Sequence, residues 1–230
     1  MGADNYYRIS ALPALGDLGS APPLSLAALR EHVGERPAAR ALVDALLLFD
    51  DLRQREAFLA GELKEVSPVV LTPAEVRNEQ PLPPFLTAEG GASRRVAADT
   101  VWAAYFKHAA RVAQRRGSEF LAGWISREVA MRNALAAARA RALGLDPAPY
   151  LVAPELVRDD EDFSALISEW SAAPDPLAGA RVLDQARWTW LHEHDAWFSF
   201  GDEEFAAYAA KLMLIVRWYR LSVGTSIRLA

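Results

Sequence analysis

Two histidines and two carboxylates stand together in His192, Glu193, His194 and Asp195, inside the aromatic stretch ARWTWLHEHDAWFSFGDEEFAAYAAKLMLIVRW at residues 186–218. Histidine and carboxylate side chains ligate zinc and exchange protons near neutral pH, so their spacing decides what they can do. The surrounding residues favour helix, and at about 100° per residue His192 and His194 then point about 200° apart. They cannot share one metal. His192 and Asp195 fall on one face, but two ligands do not make a zinc site. The helical metalloprotease pattern needs histidines four residues apart, which this chain lacks. His32 and His108 lie in separate predicted helices without an acidic companion pattern. All four histidines therefore read as structural.

Other chemistries fare no better. The chain has no cysteine, which excludes disulfides, thiolate catalysis and cysteine-ligated zinc. There is no G-x-S-x-G elbow and no G-x-x-x-x-G-K-[ST] loop. The Gly-Gly-Ala-Ser run at 90–93 follows no predicted strand and so cradles no phosphate. Asp50–Asp51 and Asp159–Asp160 are paired carboxylates, but each sits in a run of charges and reads as solvated. Glu128 precedes Arg132 by one helical turn, which predicts a surface ion pair of a few tenths of a kcal/mol. A catalytic Glu128 would need partners that the sequence does not offer. The residues thus assign no catalytic group, no metal site and no cofactor site.

The elements that must position these residues are predicted to be helices. Alanine, leucine, arginine and glutamate dominate and β-branched runs are scarce. Ser25 caps a short helix closed at Gly34, and Pro37 opens a second that runs to about Gly61. Leu42, Ala45, Leu46, Phe49, Leu52 and Leu59 follow the spacing of one buried face. Thr72, Pro73 and Glu75 form a capping box. Residues 78–94 are too rich in proline and glycine for regular structure. They predict a hinge between an N-terminal helical part (1–77) and a C-terminal helical part (95–230) of one domain spanning 1–230.

Two long helices follow, from Asp99 to Arg116 and from a Ser118 cap to Gly144. Phe120, Leu121, Trp124, Ile125, Met131, Leu135 and Ala138 line one side of the second. A proline-broken loop, a short helix ending near Trp170 and a second break lead to a last pair. That pair spans about Leu177 to Trp197 and, with Asp202 as its cap, Glu203 to Leu221; a fraying tail follows. Residues 6–13 predict one small extended segment. Phe205, Tyr208, Leu212, Ile215 and Tyr219 form a stripe, with Met213, Leu214, Trp218 and Leu221 widening it. A helix apolar on most sides is central to its own fold or covered by a partner.

With 52% hydrophobic and 24% charged residues among 230, the chain reads as a well-packed protein rather than a disordered one. The first residues lack the pattern of a signal peptide, and Lys211 and Arg217 interrupt the most apolar late segment before it could span a bilayer. Net charge is −5, yet residues 94–143 hold ten Lys or Arg against three Asp or Glu, a net +7. A nucleic-acid protein could show such a block. The acidic runs at 158–162 and 201–204 offer to neutralise it internally, and nucleic acid is not expected as a partner.

Three blocks stand in order along the chain: NYYRISALPAL at 5–15, FLAGWISREVAMRNALAAARARALGLDPAPYLV at 120–152 and RWTWLHEHDAWFSFGDEEFAAYAAKLMLIVRW at 187–218. Together they resemble a short bacterial family associated with V-type ATPases and related to the C-type rotor component of those enzymes, which is called d in eukaryotes. The resemblance implies an all-α, funnel-like body of packed antiparallel helix pairs, set between the rotating central shaft and the membrane proteolipid ring. Its partners would be the shaft proteins and that ring. It would carry torque for proton or sodium transport without bond chemistry, at the cytoplasmic face of the membrane. The chain departs from the family by being shorter, which implies a missing or reduced helical repeat. Partner contacts implied by the matched blocks are Trp188, Trp197, Phe198, Tyr208 and Lys211, with Glu128, Arg132 and Asn133. Most of these are expected to hold the protein's own fold. The alternative is an all-helical enzyme or binder that holds an anionic ligand on the basic helix pair 99–143, where Arg127, Arg132 and a histidine would converge, with Glu128 or a histidine acting on it.

Overall fold

The helix starts are set by side chains that accept the orphan amides of a first turn. In the computed structural model, which describes residues 3–87, 97–158, 161–195 and 199–228, Ser25 Oγ accepts from Ala28 N at 3.1 Å to open α2 (Leu26–Val33). Thr72 and Glu75 exchange both bonds of the capping box at α4 (Pro73–Val76). Ser118 opens α6 (Glu119–Ala142) and Asp175 opens α8 (Pro176–Glu193). The remaining helices are α1 (Ala3–Ser10), α3 (Pro37–Leu59), α5 (Ala97–Arg116), α7 (Ser164–Ser171) and α9 (Asp202–Arg228). Short 3-10 turns sit at Pro84–Leu86, Ala148–Tyr150 and Pro154–Leu156, and the described residues contain no strand. The protein is all-helical. No helix among those residues is long and apolar enough to cross a membrane.

Several boundaries differ from those the local sequence predicts. The segment expected to be extended is helix α1, and it ends ahead of Pro13, before which α backbone is disfavoured. A reciprocal tie anchors it: Arg8 Nη1 donates to the His32 carbonyl at 3.0 Å, and His32 Nε2 donates to that of Arg8 at 2.7 Å. Leu59, expected on the buried face of α3, is 54% exposed because that helix ends there. Helix α8 stops at Glu193 rather than Trp197, and α9 runs past Leu221 to Arg228. In α6, Leu135 and Ala138 are only half-buried, whereas Asn133 is buried.

The chain divides into two compact units, residues 1–47 with 169–230, and residues 48–168. The division falls inside α3 and α7, while the proline-rich loop lies within the second unit, with its residues 88–94 outside the described part. In the first unit α9 is central: α1, α2 and α8 pack on it. From Phe205 to Val216 every residue but Tyr208 is buried, which accounts for a helix apolar nearly all round. Alanines 206, 207, 209 and 210 let its neighbours approach closely. Two carboxylates of this unit are matched by arginines. Asp44, half-buried, takes two nitrogens of Arg30, at 2.7 and 3.0 Å, and Nε of Arg40. Asp184, fully buried, takes Arg187 and Arg217.

In the second unit Phe49, Trp102, Tyr105 and Phe106 form an aromatic cluster between the later part of α3 and α5. Trp102 Nε1 donates to Glu56 at 2.6 Å, and the Arg132 guanidinium lies 4.9 Å from the Trp102 ring centre while reaching Asp99 at 3.0 Å. One face of α6 holds the irregular chain after it. Asn133 donates to the Val152 carbonyl at 3.0 Å and accepts from its amide at 2.8 Å. Ser126 Oγ accepts from Arg158 N at 2.8 Å, and Arg127 pairs with Glu161 beside the Phe163 ring.

Candidate functional site

A cleft of about 310 Å³ opens in the first unit, among α8, α9 and the segment from Ile9 to Asp17. Its apolar walls include Leu12, Leu15, Trp188 and Phe200. Two of its polar groups are placed by contacts between elements. Lys211, only 5% exposed on the inner run of α9, forms an ion pair with Asp195, which follows the end of α8. A buried ammonium needs such a partner. Tyr208 donates its hydroxyl to the Pro13 carbonyl at 2.8 Å, and burial pushes its phenol up to about 12. It stays a protonated donor at neutral pH and pins the N-terminal wall to α9.

The turn between α8 and α9 is held the same way. Phe200 adopts φ 49°, in the left-handed region that disfavours a bulky side chain. Glu204 offsets this by accepting the Phe200 amide at 2.8 Å. Tyr6 of α1 packs on the Phe200 ring at 5.0 Å between centres, and Tyr7 lies edge-on to Tyr6 at 5.7 Å. His192 donates Nδ1–H to the Trp188 carbonyl and His194 does so to Trp190, both at 2.9 Å. The histidine pair is therefore committed to finishing α8. Among the described residues no three His, Asp or Glu side chains gather as a metal site.

Of the residues the sequence singles out, the fold gathers Trp188, Tyr208 and Lys211 in this cleft. Trp197 and Phe198 lie outside the described residues. Glu128, Arg132 and Asn133 belong to the second unit, on α6. Glu128 is 2% exposed, so the expected solvent-facing pair with Arg132 is corrected: Glu128 lies in the core, near enough to Tyr105 to help raise that phenol, whose burial is the larger cause. Arg132 meets Asp99 on α5 instead of facing water alone. Three cations of the basic helix pair are matched within their own unit, Arg132 by Asp99, Arg127 by Glu161 and Lys107 by Glu155. Arg127 and Arg132 are five residues apart on one helix, so they diverge by about 140° rather than converge on an anion. His108 stacks on Phe85 at 4.3 Å, and burial beside Arg111 and Arg115 lowers its pKa.

The site also uses residues that no motif marks: Ile9, Leu12 and Leu15 near the N-terminus, and Phe200 and Glu204 at the hairpin turn. Their one signal in the sequence is membership of the first and third resembling blocks.

The family model described as "Protein of unknown function (DUF2764)" matches residues 82–228, well over half of the 230. The chain belongs to the DUF2764 family. No curated protein and no solved structure matches it. The DUF2764 match takes in α5 to α9 and all eight candidate residues, whereas the N-terminal wall of the cleft precedes it.

Proposed function

We propose that this protein is a non-catalytic rotor component of a bacterial V-type ATPase, related to the C-type (eukaryotic d) component, that couples the central shaft to the proteolipid ring. The observation that carries the reading is the meeting of two resembling blocks. Residues 5–15 and 187–218 stand at opposite ends of the sequence and build one cleft in one unit. The all-helical fold agrees with it, as do side chains whose hydrogen bonds tie elements together: Asn133 to Val152, Arg132 to Asp99, Lys211 to Asp195 and Tyr208 to Pro13. A part that transmits torque needs such internal ties more than it needs reactive groups. A funnel-like shape and peripheral attachment at the inner membrane face belong to the same proposal.

The test is recovery of the tagged protein from its native membranes in mild detergent, followed by mass identification of what accompanies it. Shaft and proteolipid proteins should come with it in fixed ratio. Recovery of the protein alone, from membranes shown to contain the ATPase, would refute the reading.

A further inference from the structure

The cleft offers acceptors and little else. Among the described lining residues Asp17, Asp195 and Glu204 face it with one cation, Lys211, and the Lys211–Asp195 charges cancel. Two carboxylates remain, Asp17 exposed and Glu204 half-buried. Glu204 gives one oxygen to the Phe200 amide, and an ionised carboxylate has about four acceptor positions, so it can take more donors. His192 spends Nδ1–H on the Trp188 carbonyl and so turns no donor on that nitrogen toward the cleft. The Tyr208 hydroxyl, which could have been a donor, is taken by Pro13. Around these acceptors stand the rings of Trp188 and Phe200 and the aliphatic Leu12 and Leu15.

Such a lining suits a cation on an apolar stem: aromatic faces attract it and carboxylates accept its N–H groups. Beside the cleft the aromatic surface continues outward through Tyr6, 52% exposed, and Tyr7, 70% exposed. A free amine filling 310 Å³ would leave that pair uncovered, whereas a polypeptide would lie across it. Exposed tyrosines next to an anchoring pocket are the composition of a protein interface. We propose that this cleft and its tyrosine pair receive an arginine or lysine side chain presented by a segment of a partner protein. The assignment holds whether or not that partner is part of a rotor.

The probe is an acetylated Leu-Arg-Leu amide titrated into the full-length protein, followed by NMR shifts of the Trp188 indole and the Tyr7 ring. A saturable shift is expected, with the neutral citrulline analogue at least about tenfold weaker. Asp17→Asn and Tyr7→Ala, both at exposed positions where the fold tolerates change, should each weaken binding severalfold. Equal affinity for the citrulline peptide, or no saturable shift up to about 10 mM, would overturn the proposal. Phenethylammonium binding as tightly as the peptide, with Tyr7→Ala without effect, would make this a site for free amines and overturn the protein partner. Failure to recover ATPase components from membranes would leave this titration unaffected, so the two readings fail separately.

Discussion

Asp51 is fully buried in α3, and its carboxylate accepts from three consecutive amides, Val69, Val70 and Leu71, at 2.7–2.8 Å. Burial raises its pKa from 3.8 to about 6, against the pull of those three bonds. Between these values the folded protein keeps a proton that the unfolded chain has released. Its stabilising contribution is therefore complete below the lower value and lost as pH rises through the upper, by about 3 kcal/mol in all. Urea unfolding of Asp51→Asn compared with the parent from pH 4 to 7 should show it. The parent's stability relative to the variant falls across that window, and parallel profiles would mean that the carboxyl does not change protonation there. Asn133→Ala is expected to cost about 2–4 kcal/mol, since it strands both the amide and the carbonyl of buried Val152. Asn133→Asp keeps the acceptor but sets a carboxylate oxygen against the Val152 carbonyl, and should cost at least as much at neutral pH in the same denaturation series. The sequence marks Asn133 only as part of a resembling block. Its partner lies 19 residues on, in a loop with no periodicity, and no local pattern links the two. Asp51 escapes a local reading for the same reason: its neighbours are charged, but the amides that receive it come from beyond the end of α3.

The elements whose boundaries are written locally are those whose caps lie in the chain beside them. Ser25, Thr72 and Ser118 all cap as their spacing predicts. The boundaries that spacing misses depend on contacts from elsewhere. Helix α8 ends where Asp195 turns to Lys211, sixteen residues later, and α1 is held as helix by α2. Gly224 does not stop α9, because a glycine inside a helix costs only about 1 kcal/mol. Two ion pairs shielded from water join α8 and the residues after it to α9: Asp184 with Arg217, and Asp195 with Lys211. Lys211→Met leaves Asp195, whose side chain is 10% exposed, without its ammonium, and an expected loss of about 3–5 kcal/mol follows. Adding Asp195→Asn to Lys211→Met should restore much of it, because the uncompensated charge is then gone. Thermal unfolding of the parent, both single variants and the double variant closes the cycle. An additive double variant would show that the two groups are not coupled, and the hairpin would then rest on apolar packing and the Asp184–Arg217 pair.

For the whole molecule, fold class was legible from composition and helix periodicity, and the site was not. The cleft joins residues 9–17 to residues 188–211, a separation no motif spans, and the resembling blocks carry no sign in the sequence that their first and third members meet. The net +7 of residues 94–143 likewise looks like one binding face until Lys107, Arg127 and Arg132 are seen paired with Glu155, Glu161 and Asp99. The proposed coupling role has a consequence at the level of the assembly. If the protein couples shaft to ring and performs no bond chemistry, removing it should separate two activities that normally move together. Native membranes stripped of it should still hydrolyse ATP at the catalytic head while ATP-driven ion uptake, read by a pH- or potential-sensitive dye, collapses. Adding back the purified protein should restore uptake without raising the maximal hydrolysis rate. The Lys211→Met variant, assayed at a temperature where it remains folded, should restore less, since a hairpin that yields cannot pass on torque. Hydrolysis lost in step with uptake would place the protein in the catalytic cycle, and uptake undiminished by its removal would take it out of the torque path altogether.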